Sequence, residues 1–401
     1  MTSKWNQFAL GEIIELVIDY RGKTPKKLGG DWCNQGYRAL SAKNIKTGRI
    51  VQAETIRYID ESLYRKWMKN EVQHGDILIT SEAPFGQIFF WDSDEKIVLS
   101  QRLFCVRIKP EYDARFIYYY MTTPEFQNEL DGRATGTTVI GLRQPELMKC
   151  VIQCPEIQEQ KVIAAILSSI DEKIIANEKV NDNLEQQAQS YFQELFVDNA
   201  DPEWAIGTIS DLGTVVGGST PSKAKPEYYT ESGIAWITPK DLSINKSKFV
   251  SHGENDITEL GLKNSSAAIM PRGTVLFSSR APIGYIAIAA GEVTTNQGFK
   301  SVVPKPEIGT PFVYFFLKNT LPVIEGMASG STFKEVSGST MKNVPAVIPD
   351  VETLAKFSDF CAPIFAQQRI LEEQNQSLAT LRDNLLPKLM SGEIDVSAVQ
   401  L

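Results

Sequence analysis

Histidine is nearly missing from this chain: His74 and His252 are the only two in 401 residues, and neither has metal ligands at ligand spacing around it. This weighs against a histidine-built metal centre. Cysteine is scarce and odd in number at five, and Cys150-x-x-x-Cys154 has no second Cys or His pair, so both read as buried thiols. The opening residues Met1 to Gln7 lack the basic start and apolar stretch of a secretory signal, which points to a reducing cytoplasm. Uninterrupted apolar runs are only a handful of residues long, far short of the ~18 a membrane span needs. No membrane is expected. Glycine and proline together are 27 + 20 residues, too few for a disordered or collagenous chain.

Positive charge is also wanting, since 41 Lys and Arg stand against 49 Asp and Glu, and a net −8 taken whole argues against nucleic acid. The average hides a partition: 21 against 19 over residues 1–155, 3 against 9 over 156–200, 13 against 13 over 201–349, and 4 against 8 over 350–401. The acidity lies in two segments only.

Catalytic motifs are absent as well. Gly22-Lys23-Thr24 resembles the end of a phosphate loop, but Val17 stands where that loop needs glycine, and Pro25 disturbs the helix start. Pro349-Asp350 with Glu352 lacks the following lysine of a nuclease, and no glycine-rich methyl-donor loop or Asn-Pro-Pro-aromatic motif occurs. Together these absences indicate a binding protein rather than an enzyme.

What the chain has is a repeat with a period near 196. Leu10-Gly11-Glu12-Ile13 through Gly22-Lys23-Thr24-Pro25 aligns with Ile206-Gly207-Thr208-Ile209 through Gly218-Ser219-Thr220-Pro221. Gly75-Asp76-Ile77-Leu78-Ile79-Thr80-Ser81 aligns with Gly273-Thr274-Val275-Leu276-Phe277-Ser278-Ser279, and four further matches keep the same order. Duplication is the reading. Within each repeat, short apolar runs such as Ile77–Thr80 and Leu103–Ile108 between turn residues predict strands, and helices are expected near Glu61–Asn70 and Ala114–Gln127.

From Ile163 the periodicity changes to alternating threes and fours, through Leu167, Ile170, Ile174, Asn177, Asn181, Leu184, Ala188 and Tyr191. Leu354, Phe357, Cys361, Ile364, Gln368, Leu371, Asn375 and Leu378 repeat the rhythm, with Pro363 expected to kink or start that helix and Pro387 to end its regular part. Each helix would run roughly 55 Å at 1.5 Å per residue. The expected fold class is α+β: two tandem mixed α/β globules separated by a long antiparallel two-helix coiled coil with a pseudo-twofold. The alternative is two separate helices, each packed on its own globule. Boundaries fall at 1–155, 156–200, 201–349 and 350–401. Asn177, Asn181, Gln368 and Asn375 would set the register of the pair.

Two related globules held apart form a two-headed reader, and DNA is the natural object, since ~55 Å exceeds one ~34 Å turn. Candidate contacts in the first repeat are Lys23, Thr24, Lys26 and Lys27 at the Gly-x-Thr-Pro turn, Lys43 and Asn44, Ser81 and Glu82, Gln101 and Arg102, and Arg133, Thr137 and Thr138. In the second they are Ser219, Thr220, Ser222 and Lys223, Lys240 and Asp241, Ser279 and Arg280, Asn296, Gln297 and Lys300, and Ser331, Thr332 and Lys334. Arg or Lys suits guanine, Asn or Gln adenine, and Ser, Thr or Lys phosphates. For any one of them a solvated loop residue is the plain alternative. Glu82 aligns with Arg280 and Arg102 with Gly298, so either the half-sites differ there or these side chains sit in local ion pairs.

The tandem arrangement, the Gly-x-Thr-Pro turn, the paired strand motifs, the run Pro155-x4-Gln160-x2-Ile163 and the ending Leu381 to Ile394 resemble the specificity subunit of type I restriction-modification enzymes, over nearly the whole chain. The second helix departs where Glu352-Thr353-Leu354 replaces the Gln-containing start. The resemblance implies two target recognition domains reading halves of a split DNA site, with helices as spacer. It also implies two methyltransferase subunits and restriction/translocase subunits as partners, and S-adenosylmethionine, ATP and Mg2+ held by those partners, none in this chain. Two rival readings are a modification-only or phage-defence reader of the same build, and a protein scaffold that reads no DNA.

Overall fold

A computed structural model describes residues 5–136, 140–330 and 334–399, and the chain divides into two units, Met1–Ile174 with Ser377–Leu401, and Ile175–Gln376. In the first unit, β1 (Ile14–Asp19), β2 (Ile77–Thr80), β3 (Ile88–Phe90) and β4 (Leu103–Ile108) form an antiparallel sheet in the order β1-β4-β2-β3. A second sheet joins Arg57–Ile59, Tyr37–Leu40 and Val98–Leu99, the last pair parallel.

The larger sheet is a middle layer. Ile77, Ile79, Phe104 and Val106 enter a core built with the helices, whereas Leu78, Leu103 and Cys105 enter a separate core with Trp67, Trp91 and the smaller sheet. Burial on both faces explains why β2 is an unbroken apolar run instead of an alternating one.

The second unit repeats this plan with β5 (Gly213–Gly217), β6 (Phe249–Val250), β7 (Val275–Ser279), β8 (Ile283–Ala289) and β9 (Lys300–Pro304), in the order β5-β9-β7-β8-β6. Val275, Phe277 and Val302 face the helices, while Leu276, Ala287 and Ala289 face the other core. A two-stranded pair closes each unit, Asn6–Ala9 on Val151–Cys154 and Ala205–Thr208 on Pro345–Ile348. The mixed α+β class expected of each repeat is what each unit has.

Local helix bounds differ from the sequence reading for identifiable reasons. The helix expected at Ala114–Gln127 is two, Ala114–Met121 and Pro124–Arg133, because Thr123 caps the second by accepting from the Phe126 amide and Pro124 fits only its first turn. The expected Glu61–Asn70 helix spans Glu61–Trp67, capped by Asp60.

The long helices are α1 (Ile157–Gln193) and α2 (Val351–Met390). Pro363 does not start α2 and Pro387 does not end it; both lie inside. The cost of a proline, about 3 kcal/mol, is offset by packing on both sides of each, of buried Phe357, Cys361 and Ile364 around the first and of partly buried Leu385 and Leu386 before, and buried Leu389 and Met390 after, the second. α1 begins ahead of the heptad rhythm, and Gln160 explains the Pro-x4-Gln motif. Its side chain is buried, donates to the Pro155 carbonyl (2.9 Å) and accepts from the Asp113 amide (3.0 Å), tying the helix start to the globule.

Within each unit the helix segments run antiparallel. In the first, Ile163 and Leu167 share a core with Leu389 and Met390, and Asp171 accepts from Tyr119 Oη (2.7 Å) and from Arg382 Nη1 (2.8 Å). In the second, Asn177 donates to Asn375 (2.8 Å) and Gln368 to the Asn181 carbonyl (3.2 Å), so Asn177, Asn375 and Gln368 bond across the seam through their side chains, whereas Asn181 takes part through its main chain and its buried side-chain oxygen accepts no hydrogen bond among the described residues.

The second unit also buries a charge cluster. Lys248 donates to Glu185 (2.7 Å) and Gln368 (2.9 Å) and lies 3.5 Å from the centre of the Phe365 ring, while Lys318 and Tyr314 donate to the other Glu185 oxygen. Burial lowers the Lys248 pKa to about 8 against the pull of Glu185. Burial raises Glu185, but the two ammonium groups outweigh it and bring that carboxyl down to about 2. No described helix is long and apolar enough to cross a membrane.

Candidate nucleic-acid interface

In each unit several of the residues singled out from the sequence lie in the turns and strand ends around Ser81 and Ser279. Backbone bonds fix the correspondence: the Ser81 amide donates to the Arg102 carbonyl (2.9 Å) and the Leu142 amide to the Ser81 carbonyl (2.9 Å), as Ser279 does to Gly298 (2.7 Å) and Val336 to Ser279 (2.9 Å). The Gly-x-Thr-Pro turns need their glycines. Gly22 has φ +100°, and a Cβ on Gly218 would lie 1.9 Å from the Asn296 carbonyl oxygen.

In the first unit, Lys26, Lys43, Gln101 and Arg102 are exposed. Lys27 donates to the Gly22 carbonyl (2.8 Å), and the Thr24 hydroxyl accepts from the Lys27 amide (3.4 Å). Lys23 is tied inward, donating to the Trp67 carbonyl (2.8 Å) over the Tyr20 ring. Burial and the nearby Lys69 charge lower its pKa.

Asn44 is a correction. It is 1% exposed and caps the turn that follows Ser41, accepting from the Ser41 amide and donating to the Gln52 carbonyl and Thr55, so its side-chain amide is committed to the frame. Ser81, 2% exposed, is likewise interior. Arg133 is half-buried and bound to Glu129 (2.9 Å), whose carboxylate also accepts from the Val151 amide, which makes it a tie to the closing strand. Thr137 and Thr138 lie outside the described residues.

Two hollows meet at Gln101 and Arg102. One is lined further by Trp32, Lys43, Arg57 and Ser100, the other by Asp19, Arg21, Gly22 and Glu82. Arg102 pairs with Glu82 at 3.1 Å. Trp32, Arg57 and Arg21 were not foreseen. Arg57 stacks 5.1 Å from the Trp32 ring and Arg21 lies 3.9 Å from the Phe104 ring and grips Asp19; Trp32 and Arg57 fall in no motif shared by the repeats, and Arg21 stands in the first Gly-x-Thr-Pro motif where the second has Gly217.

In the second unit, Ser222, Lys223, Gln297 and Lys334 are exposed, and Lys240 pairs with Glu254 (2.5 Å). Thr220 hydrogen-bonds to the Gln297 side chain, and Ser219 accepts through its carbonyl from Trp236 Nε1 (3.0 Å). Asn296 accepts from the Gly298 amide (2.8 Å).

Asp241 is corrected as Asn44 was: it is buried, accepting from the Thr238 amide (2.7 Å) and the Glu254 amide (2.9 Å). Ser279 is fully buried and donates to the Gly298 carbonyl (3.1 Å). Lys300 donates to the Gln297 and Phe299 carbonyls, and burial lowers its pKa. Arg280 pairs with Glu335 at 3.5 Å. Ser331 and Thr332 lie outside the described residues.

The exposed set is therefore cationic and amide-bearing, suited to phosphate oxygens and base edges. Cys150 and Cys154 are buried free thiols, pushed up to about 12 chiefly by burial. Among the described residues, no three His, Cys, Asp or Glu side chains come together as a metal site.

Comparison with known proteins gives one consistent result. Residues 2–186 and 202–381 match the model of the type I restriction modification DNA specificity domain. The MjaIX specificity subunit of Methanocaldococcus jannaschii is 39% identical over 194 residues, 46% of this chain and 45% of that protein, so the match spans less than half of that relative. The HindI specificity subunit of Haemophilus influenzae is 22% identical over 408 residues, covering 81% of this chain and 88% of that one. In fold, the chain is similar to the S subunit of a type I restriction-modification system from M. genitalium, with a TM-score of 0.60 and 18% identity over 97% of this chain and 99% of that one.

Proposed function

The chain belongs to the type I restriction modification DNA specificity domain family, a family of non-catalytic subunits, and from that premise we propose that its two globules read the two halves of a split DNA site. Residues 1–155 and 201–349 each serve as a recognition domain, and 156–200 with 350–401 serve as the spacer that docks two methyltransferase subunits. Restriction and translocase subunits join further out, and S-adenosylmethionine, ATP and Mg2+ act in those partners.

The observation that carries this reading is the pair of equivalent sheet edges, each presenting exposed cationic and amide side chains: Lys26, Lys43, Gln101 and Arg102 in one, Lys223, Lys240 and Gln297 in the other. Their charge is modest, so the partners supply much of the phosphate neutralisation. The acidic helices then face protein.

Sequencing methylated adenines in cells expressing the chain with its companion methyltransferase, against cells lacking the chain, tests it. A new bipartite motif is expected. A stable complex that confers no motif would favour the protein scaffold.

A further inference from the structure

At three corresponding positions the units carry the same chemistry in a different order. The first unit has Glu82, Arg102 and Gly141; the second has Arg280, Gly298 and Glu335. The correspondence of the third position rests on equivalent bridges, Thr135 with Gly141 and Ser329 with Glu335, and on the amides of the next residues, Leu142 and Val336, bonding to Ser81 and Ser279. A Cβ on Gly141 would lie 3.7 Å from the Glu82 carboxylate, so the glycine leaves open the space that the acid of the other unit fills from this position.

Each unit thus keeps one arginine–glutamate pair at the same edge, at 3.1 Å and 3.5 Å, with side chains 35% to 49% exposed. A partly exposed pair of this kind adds little to stability. Stability alone would not require the pair to be rebuilt from other positions.

We propose that Arg102 and Arg280 are the guanine-reading residues of the two half-sites, and that Glu82 and Glu335 hold them in place until DNA displaces the carboxylate. The inference rests on the DNA-reading function above. The guanidinium fork matches the two major-groove acceptors of guanine, and a carboxylate beside a phosphate-lined groove is repelled, so binding shifts the arginine from acid to base edge. Arg102 stands on the loop before β4, at φ +63°, and Arg280 follows β7, so the guanidinium groups approach from different loops. The G·C pairs read should occupy non-equivalent positions in the two half-sites.

The test uses the complex of the full chain with its methyltransferase and duplexes bearing the motif that the wild-type complex methylates, each with one base pair replaced. Arg102→Ala should lose discrimination at one G·C pair of one half-site by about tenfold or more and leave the other half-site intact; Arg280→Ala should do the reverse. Arg102→Lys, which keeps the charge but not the fork, should lose the same discrimination. Glu82→Ala and Glu335→Ala should keep the motif. An unchanged base preference in the arginine variants would overturn the proposal, as would relaxed preference in the glutamate variants, which would make the acid the reader. A wild-type complex with no motif at all would instead remove the DNA-reading function, and the proposal with it.

Discussion

The two units share a frame and differ in what holds the long helices to it. Pro155 and Pro349 each follow the closing strand, which places Asp171 of the first unit in correspondence with Phe365 of the second, and Phe116-Ile117-Tyr118-Tyr119 aligns with Phe312-Val313-Tyr314-Phe315, which places Tyr119 in correspondence with Phe315. The first unit fills that place with a hydrogen bond from Tyr119 to Asp171, completed by Arg382; the second fills it with two rings 6.1 Å apart and sets the Lys248 ammonium on one of them. One backbone plan accepts either filling because the sheet buried on both faces sets it, and the polar grip is then free to vary.

The largest test of this difference is removal of each carboxylate. Glu185→Ala strands Lys248 in the interior and should cost the second unit about 3 to 5 kcal/mol, whereas Asp171→Ala leaves Arg382 its Asp383 partner and takes the acceptor from the Tyr119 hydroxyl, and should cost about 1 to 3 kcal/mol. Urea unfolding followed by amide exchange, resolved by unit, would read both. The acid response should separate the units in the same sense. Glu185 lies at about 2 in the fold against 4.5 unfolded, so its contribution is full above pH 4.5 and fades as pH falls towards 2. Glu372, raised by burial, works against this and narrows the loss. Exchange in residues 175–193 should quicken over that range.

Next in size are the caps. Asn44→Ala and Asp241→Ala should each cost about 1 to 3 kcal/mol and leave the recognised motif unchanged, seen as a lower melting temperature with unaltered methylation. Gln160→Leu, which copies Leu354 of the second unit, should cost about 1 kcal/mol, because the Asp113 amide loses its acceptor. Smallest are the exposed lysines. Lys26→Ala or Lys43→Ala should weaken DNA binding evenly across sequences and flatten the salt dependence by about one phosphate's worth.

The frame was legible in the sequence because it repeats. Ile77–Thr80 and Val275–Ser279 are apolar runs in matched contexts, and the heptads mark both helices. The same signal misled at the site. Asn44 matches Asp241 and Ser81 matches Ser279 because all four serve the interior, so resemblance between the repeats selected caps and buried hydroxyls as readers. Arg57 and Trp32 belong to no repeated motif. Glu335 became legible only when Arg280 and Gly298 were placed beside it, since acid and base had changed places along the chain. Pro363 and Pro387 misled for another reason: local propensity forbids them in a helix, and packing on both sides overrides it.

The most direct test of the central claim, that two equivalent edges read two different half-sites, is the methylation motif conferred by a chain whose loop 100–102 carries the residues of loop 296–298. The account predicts a bipartite motif in which one half changes and the other half is untouched. A motif altered in both halves, or in neither, would contradict it.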